Sequence, residues 1–121
     1  MSALGDVSSL DLQRIWEGVH GRVVHGERLT LGVIELDPGS IIPEHSHDHE
    51  QIGICLVGSL TFRVGDESRE LHSGATWSIP SNVPHEVHVG PDGAVVIDVF
   101  APTRDDWREA ERVDARTPRW P

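Results

Sequence analysis

Turn-forming residues interrupt this sequence at intervals of roughly 8–12 residues, and they constrain its fold more than any other feature. The chain has 121 residues, of which 12 are glycine and 8 are proline. Short apolar and β-branched stretches lie between turns such as Asp37-Pro38-Gly39 and Gly65-Asp66-Glu67. This spacing is typical of an all-β sandwich or barrel, and we therefore expect an all-β fold.

Most of the chain divides into short predicted strands. They are Arg14–Trp16, Arg22–His25, Leu29–Leu36, Ile52–Val57, Leu60–Val64, Arg69–His72, Thr76–Ile79, His85–Val89 and Ala94–Phe100. Near the end, Thr103 can cap a short C-terminal helix over residues 104–113. We therefore expect an N-terminal arm at residues 1–11, a β-barrel over 12–102, and a helix with a tail over 103–121.

Charge and cysteine content exclude several classes of protein. The 20 acidic and 10 basic residues give a net charge of −10, and no basic patch for nucleic acid is visible. No apolar stretch is long enough to span a bilayer, and the first 30 residues lack the pattern of a secretion signal. Cys55 is the single cysteine, so no intramolecular disulfide is possible. We expect a cytoplasmic protein with a small-molecule substrate and no nucleic-acid or membrane partner.

Three histidines lie close together between Pro43 and Gln51. On a strand, alternate side chains share a face, so His45 and His47 would point the same way, with Cα atoms about 6–7 Å apart. Their imidazoles can then converge on one divalent cation. Gln51 can join them only if the chain bends before it, and His85 would add a third nitrogen from a distant strand. A His-x-His pair also occurs by chance on protein surfaces, so the pair alone leaves the metal site open.

The spacing of this segment resembles the first motif of the cupin superfamily. That motif is Gly, five residues, His-x-His, three or four residues, Glu, six residues and Gly. The chain has Gly39, His45, His47, Gln51 and Gly58 at these places, with three residues before Gln51. Glutamine therefore stands where glutamate is usual.

A second segment resembles the second cupin motif, which is Gly, five residues, Pro-x-Gly, two residues, His, three residues and Asn. The chain has Gly74, Pro80 and His85 at this spacing, with Asn82 in place of the second glycine and Val89 in place of the final asparagine. The resemblance implies a jelly-roll barrel, also described as a double-stranded β-helix.

The resemblance also implies that four side chains hold one divalent metal ion: His45, His47, Gln51 and His85. Zinc, nickel, manganese and iron all accept imidazole ligands, so the metal is not determined. A neutral amide in place of a carboxylate leaves the ion its full charge, which favours Lewis-acid chemistry over oxygen-dependent redox chemistry. His49 lies in the expected bend, and we expect it at the surface.

The segments 45–53 and 79–85 resemble the small cupins of the pectin-degradation type. Those proteins act on 4,5-unsaturated uronate monosaccharides and promote conversion to the linear keto form. Their Asp-x-Phe-x-x-x-Arg segment corresponds here to Asp98, Phe100 and Arg104. The resemblance implies proton transfer by Asp98, a pocket shaped by Phe100 and carboxylate binding by Arg104. The structural alternative is an Asp98–Arg104 salt bridge that only anchors the C-terminal helix.

These residues favour a metal-dependent isomerase for a small sugar acid. The alternatives are a metal-dependent cyclase of polyketide type, a dioxygenase, and a non-catalytic cupin that binds a small ligand. Strand 94–100 is apolar on both faces, which predicts a homodimer that covers the outer face. We expect Trp77 and Cys55 to be buried in the core.

Overall fold

The computed structural model describes residues 2–121, and β-strands make up most of this range. The strands are β1 (Gln13–Trp16), β2 (Val19–His25), β3 (Thr30–Leu36), β4 (Ile41–His45), β5 (Glu50–Val64), β6 (Glu67–His72), β7 (Thr76–Ile79) and β8 (His85–Ala101). Within the described range, helical structure is limited to two 3₁₀ turns, Val7–Ser9 and Asp105–Trp107. Neither has the length and apolarity needed to cross a membrane. The predicted all-β class is confirmed.

The eight strands form one antiparallel sheet in the order β1-β2-β3-β8-β5-β6, with β4 paired to β8 and β7 paired to β5. The long strands β5 and β8 pair along most of their length and join all the others. Buried side chains from β2, β3, β5, β7 and β8 form a shared hydrophobic core. The sheet is barrel-like but not closed, because β1 and β6 remain as the unpaired ends of the strand order.

Two predicted strand breaks are β-bulges inside longer strands. Residues 57–59 lie within β5 and residues 90–93 within β8, and the register between the two strands shifts near Gly58. Gly58 has φ +84°, and a Cβ built on it would lie 2.0 Å from the carbonyl oxygen of Gly93. Glycine is therefore required at Gly58 because two backbones approach closely, which is a common role of glycine inside strands.

The predicted C-terminal helix over 104–113 is wrong, since only the 3₁₀ turn Asp105–Trp107 forms. The buried side-chain amide of Gln13 donates to the carbonyl oxygens of Trp107 at 3.0 Å and Ala110 at 3.1 Å. The backbone of the following residues also pairs with the chain around β1. These tertiary bonds occupy carbonyl and N–H groups that a continuous helix would need.

The C-terminal tail is anchored by Glu35 of β3, which is 1% exposed. This carboxylate accepts hydrogen bonds from Arg22 of β2 at 2.7 Å, from the Arg116 side chain at 2.9 Å and from the Arg119 backbone at 3.0 Å. Burial opposes ionisation of Glu35, but these hydrogen bonds outweigh it and hold its pKa below the ordinary value. The tail therefore lies against β2 and β3 through a buried ion cluster that the sequence did not predict.

Candidate metal centre

Three histidines meet at one end of the sheet. His45 ends β4, His85 begins β8 directly opposite it, and His47 follows β4 in the connecting loop. One side-chain nitrogen from each of the three lies within 4.8 Å of the other two. His45 and His47 therefore converge as predicted. They do not lie on one strand, however, because β4 ends at His45.

The backbone orients each of these imidazoles. In His45, His47 and His85, Nδ1 lies 2.9 Å from the carbonyl oxygen of a residue two positions away. A carbonyl can only accept, so Nδ1 carries the proton and Nε2 keeps its lone pair. This is the usual arrangement of metal-binding histidines, whose second nitrogen donates to a fixed acceptor.

Burial keeps two of the imidazoles neutral. It lowers the pKa of His85 to about 4, and it also lowers the pKa of His47. Both rings are therefore uncharged at neutral pH, the form in which histidine binds a metal.

Gln51 extends the donor set beyond the three histidines. Its Oε1 lies 3.1 Å from Nε2 of His47, and its amide nitrogen donates to Oδ1 of Asp98 at 3.0 Å. Because the proton of His47 is on Nδ1, Nε2 and Oε1 face each other as two acceptors. A cation beside them would satisfy both, so the donor set of three imidazoles and one amide oxygen fits a divalent metal ion.

Asp98 lies on β8 beside this donor set. Its Oδ1 accepts the Gln51 hydrogen bond and a second one from Nε1 of Trp77 at 2.7 Å. Between residues 2 and 121, Oδ2 has no hydrogen-bond partner, and Asp98 lines the cavity described below. Burial raises the pKa of Asp98 to about 6, although both hydrogen bonds act to lower it. Asp98 is therefore ionised at neutral pH and within reach of protonation.

The alternative salt bridge between Asp98 and Arg104 does not form. Arg104 instead makes two hydrogen bonds to Asp106, from Nε at 3.1 Å and from Nη2 at 2.9 Å. Its guanidinium carbon lies 4.7 Å from the ring centre of Phe100 and 4.2 Å from that of Trp107. Sequence reasoning missed the last contact and the role of Asp106, because both depend on how the chain turns after β8.

His49 does not join the histidine group. Its Nε2 lies 3.2 Å from the carbonyl oxygen of Thr103, and its Nδ1 is buried without a partner in the described part of the chain. The expectation of a surface position for His49 is wrong, since its side chain is half-buried. Trp77 and Cys55 lie in the core, as predicted.

All seven predicted site residues line one cavity of about 570 Å³. They are His45, His47, Gln51, His85, Asp98, Phe100 and Arg104. Much of the remaining wall is apolar and includes Ile34, Leu36, Leu60 and Val96. The volume and the few convergent polar groups are typical of a small-molecule site.

A barrel-like antiparallel sheet with a histidine triad at one end is the architecture of a cupin. The cupin domain matches residues 32–100, and the chain belongs to this family. It is similar to the pectin degradation protein KdgF of Dickeya dadantii (strain 3937), with 28% identity over 97 residues, which covers 78% of this chain and 88% of that protein. The predicted resemblance to the pectin-degradation cupins is confirmed.

Solved structures agree with this assignment. KdgF from Halomonas sp. superposes with a TM-score of 0.80 at 26% identity, covering 88% of this chain and 98% of that one. An RmlC-like cupin from Shewanella frigidimarina NCIMB 400 superposes with a TM-score of 0.81 at 23% identity, covering 88% and 96%, and supports the fold alone.

Proposed function

We propose that this cupin is a metal-dependent isomerase that opens the ring of a 4,5-unsaturated uronate monosaccharide to its linear keto form. The observation that carries the proposal is the meeting of the histidine triad, Asp98 and Arg104 on one cavity wall. Similarity to KdgF supports the choice of substrate.

In the proposed site, His45, His47, His85 and the Gln51 amide oxygen hold one divalent ion, such as zinc, nickel, manganese or iron. Such an ion would act as a Lewis acid toward the hydroxyl and carbonyl oxygens of the substrate. Imidazole and amide ligands carry no charge, and the carboxylate of Asp98 brings a negative charge into contact with the donor set through its hydrogen bond from Gln51.

Asp98 carries the proton in this proposal. Its free Oδ2 takes the proton of the hemiacetal hydroxyl, the ring carbon–oxygen bond breaks, and an aldehyde and an enolate result. Protonated Asp98 then gives the proton to the carbon of the enolate, which yields the ketone and restores the carboxylate. A pKa of about 6 suits a group that must accept and release a proton near neutral pH.

Arg104 and Phe100 position the substrate. Asp106 occupies Nε and one N–H of Nη2, and no other residue from 2 to 121 accepts from Nη1 of Arg104, which can donate to the substrate carboxylate. Phe100 supports the guanidinium with its ring and also lies 5.9 Å from the ring of His47, so it shapes the space between the two ends of the substrate.

The proposal is tested with 4,5-unsaturated galacturonate, whose conjugated double bond absorbs in the ultraviolet. Metal-loaded protein should remove this absorption faster than buffer does, and protein stripped by a chelator should not. Restoring the metal should restore the rate. Metal-loaded protein that gives no acceleration contradicts the proposal.

A second candidate, a metal-dependent cyclase of polyketide type, is favoured by the many apolar residues in the cavity wall. It predicts that a phenolic ketone binds the metal-loaded protein more tightly than galacturonate, as measured by calorimetry. Tighter binding of galacturonate counts against it.

We also propose that the protein is a homodimer. Val24, Leu31, Val99 and Ile52 lie side by side across β2, β3, β8 and β5, on the face opposite the cavity. Val24 and Ile52 are 51% and 50% exposed. An apolar row of this kind, in a chain of net charge −10, suits a second copy because its four side chains bring no charge to the contact between two acidic molecules.

A further inference from the structure

We propose that Trp77 is a positioning residue for the ring-opening reaction, whose indole N–H fixes Asp98 so that Oδ2 points into the cavity. The inference rests on the proposed role of Asp98. Trp77 is neither one of the proposed metal ligands nor part of the Asp-x-Phe-x-x-x-Arg segment.

Both donors to the Asp98 carboxylate bind the same oxygen. Trp77 Nε1 at 2.7 Å and Gln51 Nε2 at 3.0 Å both donate to Oδ1 of Asp98, and the described residues offer no donor to Oδ2. The donors come from β7 and β5, on different strands from Asp98. Two donors on one oxygen fix the rotation of the carboxylate, whereas either donor alone would leave it freer to turn.

A glycine lies between Trp77 and Asp98 in the sheet. Gly53 of β5 is paired with Trp77 on one side and with Asp98 on the other. A Cβ built on Gly53 would lie 2.4 Å from Oδ1 of Asp98 and 2.4 Å from Nε1 of Trp77. The hydrogen bond therefore crosses β5 through the space that a side chain would fill, and glycine here serves a close approach rather than a turn.

The ring of Trp77 and its N–H make different contacts. The ring packs against Phe62, with centroids 5.0 Å apart, and belongs to the hydrophobic core. Packing alone would need only an aromatic ring. The N–H is a buried donor aimed at the carboxylate that carries the proton, so its loss should affect the reaction more than the fold.

The kinetic test compares Trp77→Phe with Trp120→Phe, which makes the same chemical change on the tail, outside the cavity. Trp77→Phe should lower kcat on the order of 10–100-fold, because misplacing a reacting group has effects of this size. KM and bound metal should change less than about twofold, since Arg104 and the metal ligands are intact. Gly53→Ala keeps both partners but forces them apart, and it should lower kcat in the same way. Trp120→Phe should match the wild type.

A second readout needs no activity. The chain has four tryptophans, so its NMR spectrum should show four indole N–H signals. In metal-free protein the signal that disappears in Trp77→Phe should be protected from exchange with solvent. It should lose that protection in Gly53→Ala.

The results of these experiments distinguish failure of the positioning role of Trp77 from failure of the proposed function. If the wild type opens the uronate ring and Trp77→Phe retains its kcat, the positioning role is wrong and the proposed function stands. An unprotected Trp77 indole also overturns the positioning role. If the metal-loaded wild type leaves the uronate unchanged, the proposed function fails and the role of Trp77 in it fails too.

Discussion

The side-chain amide of Gln51 contacts two neighbouring residues, one through its oxygen and one through its nitrogen. Its oxygen faces Nε2 of His47, and its nitrogen donates to Asp98. The cupin motif usually has glutamate at this place. A carboxylate there would set an oxygen against Oδ1 of Asp98 where the structure has a donated hydrogen bond, so the geometry explains why glutamine is found beside Asp98.

Gln51→Glu should therefore destabilise the metal-free protein. At pH 7.5 we expect its free energy of unfolding to fall by roughly 1–3 kcal/mol, because a buried acceptor loses its donor and gains a like charge. Urea unfolding monitored by tryptophan fluorescence measures this loss.

The double variant Gln51→Glu/Asp98→Asn is the control, since it removes the like charge at position 98. It should recover part of the lost stability, because one atom of the new amide cannot both accept from Trp77 and donate to position 51. If the double variant loses as much free energy of unfolding as the two single variants together, Gln51 and Asp98 do not interact.

At the residue level, motif spacing and resemblance were sufficient to propose the seven cavity residues. Trp77 was predicted only as core, because its bond to Asp98 depends on the register of β7 and β8 against β5. Asp106 was not predicted to take part in the site, yet it pairs with Arg104. Contacts of this kind join strands or turns whose relative placement the local sequence does not determine.

For helices, strands and turns, predictions from the local sequence were wrong where tertiary hydrogen bonds or strand pairing compete with the local structure. Residues 104–113 have good helical signals, yet the Gln13 side chain takes two of their carbonyl groups. Residues 57–59 and 90–93 have turn composition, yet they form bulges in β5 and β8. Turn-forming residues mark departures from regular strand geometry, but only the pairing between strands decides whether the chain reverses.

The anchoring of the tail predicts a dependence of stability on pH. The folded pKa of Glu35 lies below the ordinary value of 4.5, so its ionisation stabilises the fold above that pH. This contribution should be lost as the pH falls below 4.5 and through the folded pKa. At pH 7, Glu35→Gln should cost about 3–5 kcal/mol because it leaves Arg22 buried without its carboxylate. Urea unfolding from pH 7 to pH 3 should show the difference between the two proteins shrinking.

Asp37→Asn is the matched control for this experiment. It removes the other carboxylate that binds Arg119, but this pair is about 40% exposed on both sides. We expect a loss of at most about 1 kcal/mol. A pH-independent difference between the wild type and Glu35→Gln would contradict the assigned role of Glu35.

For the whole molecule, the regular spacing of turns was enough to predict an all-β fold, and the two motifs were enough to predict the cupin architecture. Closure of the sheet could not be predicted, because it depends on whether the first and last strands of the order meet. The apolar outer face of strand 94–100 could be predicted because both faces of that strand are apolar, but its continuation onto β2, β3 and β5 follows only from the register.

The proposed homodimer predicts that Ile52→Glu produces monomers, because it places a charge on the apolar face. Light scattering coupled to size-exclusion chromatography measures the mass. Ile41→Glu is the control, since Ile41 is equally exposed, at 50%, but lies on β4 outside that face. A wild type that is already monomeric, or equal masses for the two variants, would contradict the assignment of this face.

The central claim is ring opening at a metal centre with Asp98 as the proton carrier. The most direct measurement is a proton NMR time course of 4,5-unsaturated galacturonate with metal-loaded wild type and metal-loaded Asp98→Asn. Both proteins should contain the same amount of metal, because Asp98 is not among the proposed ligands. The wild type should convert the cyclic sugar to the linear keto form, and Asp98→Asn should be no faster than buffer. Conversion by Asp98→Asn at the wild-type rate would contradict the account.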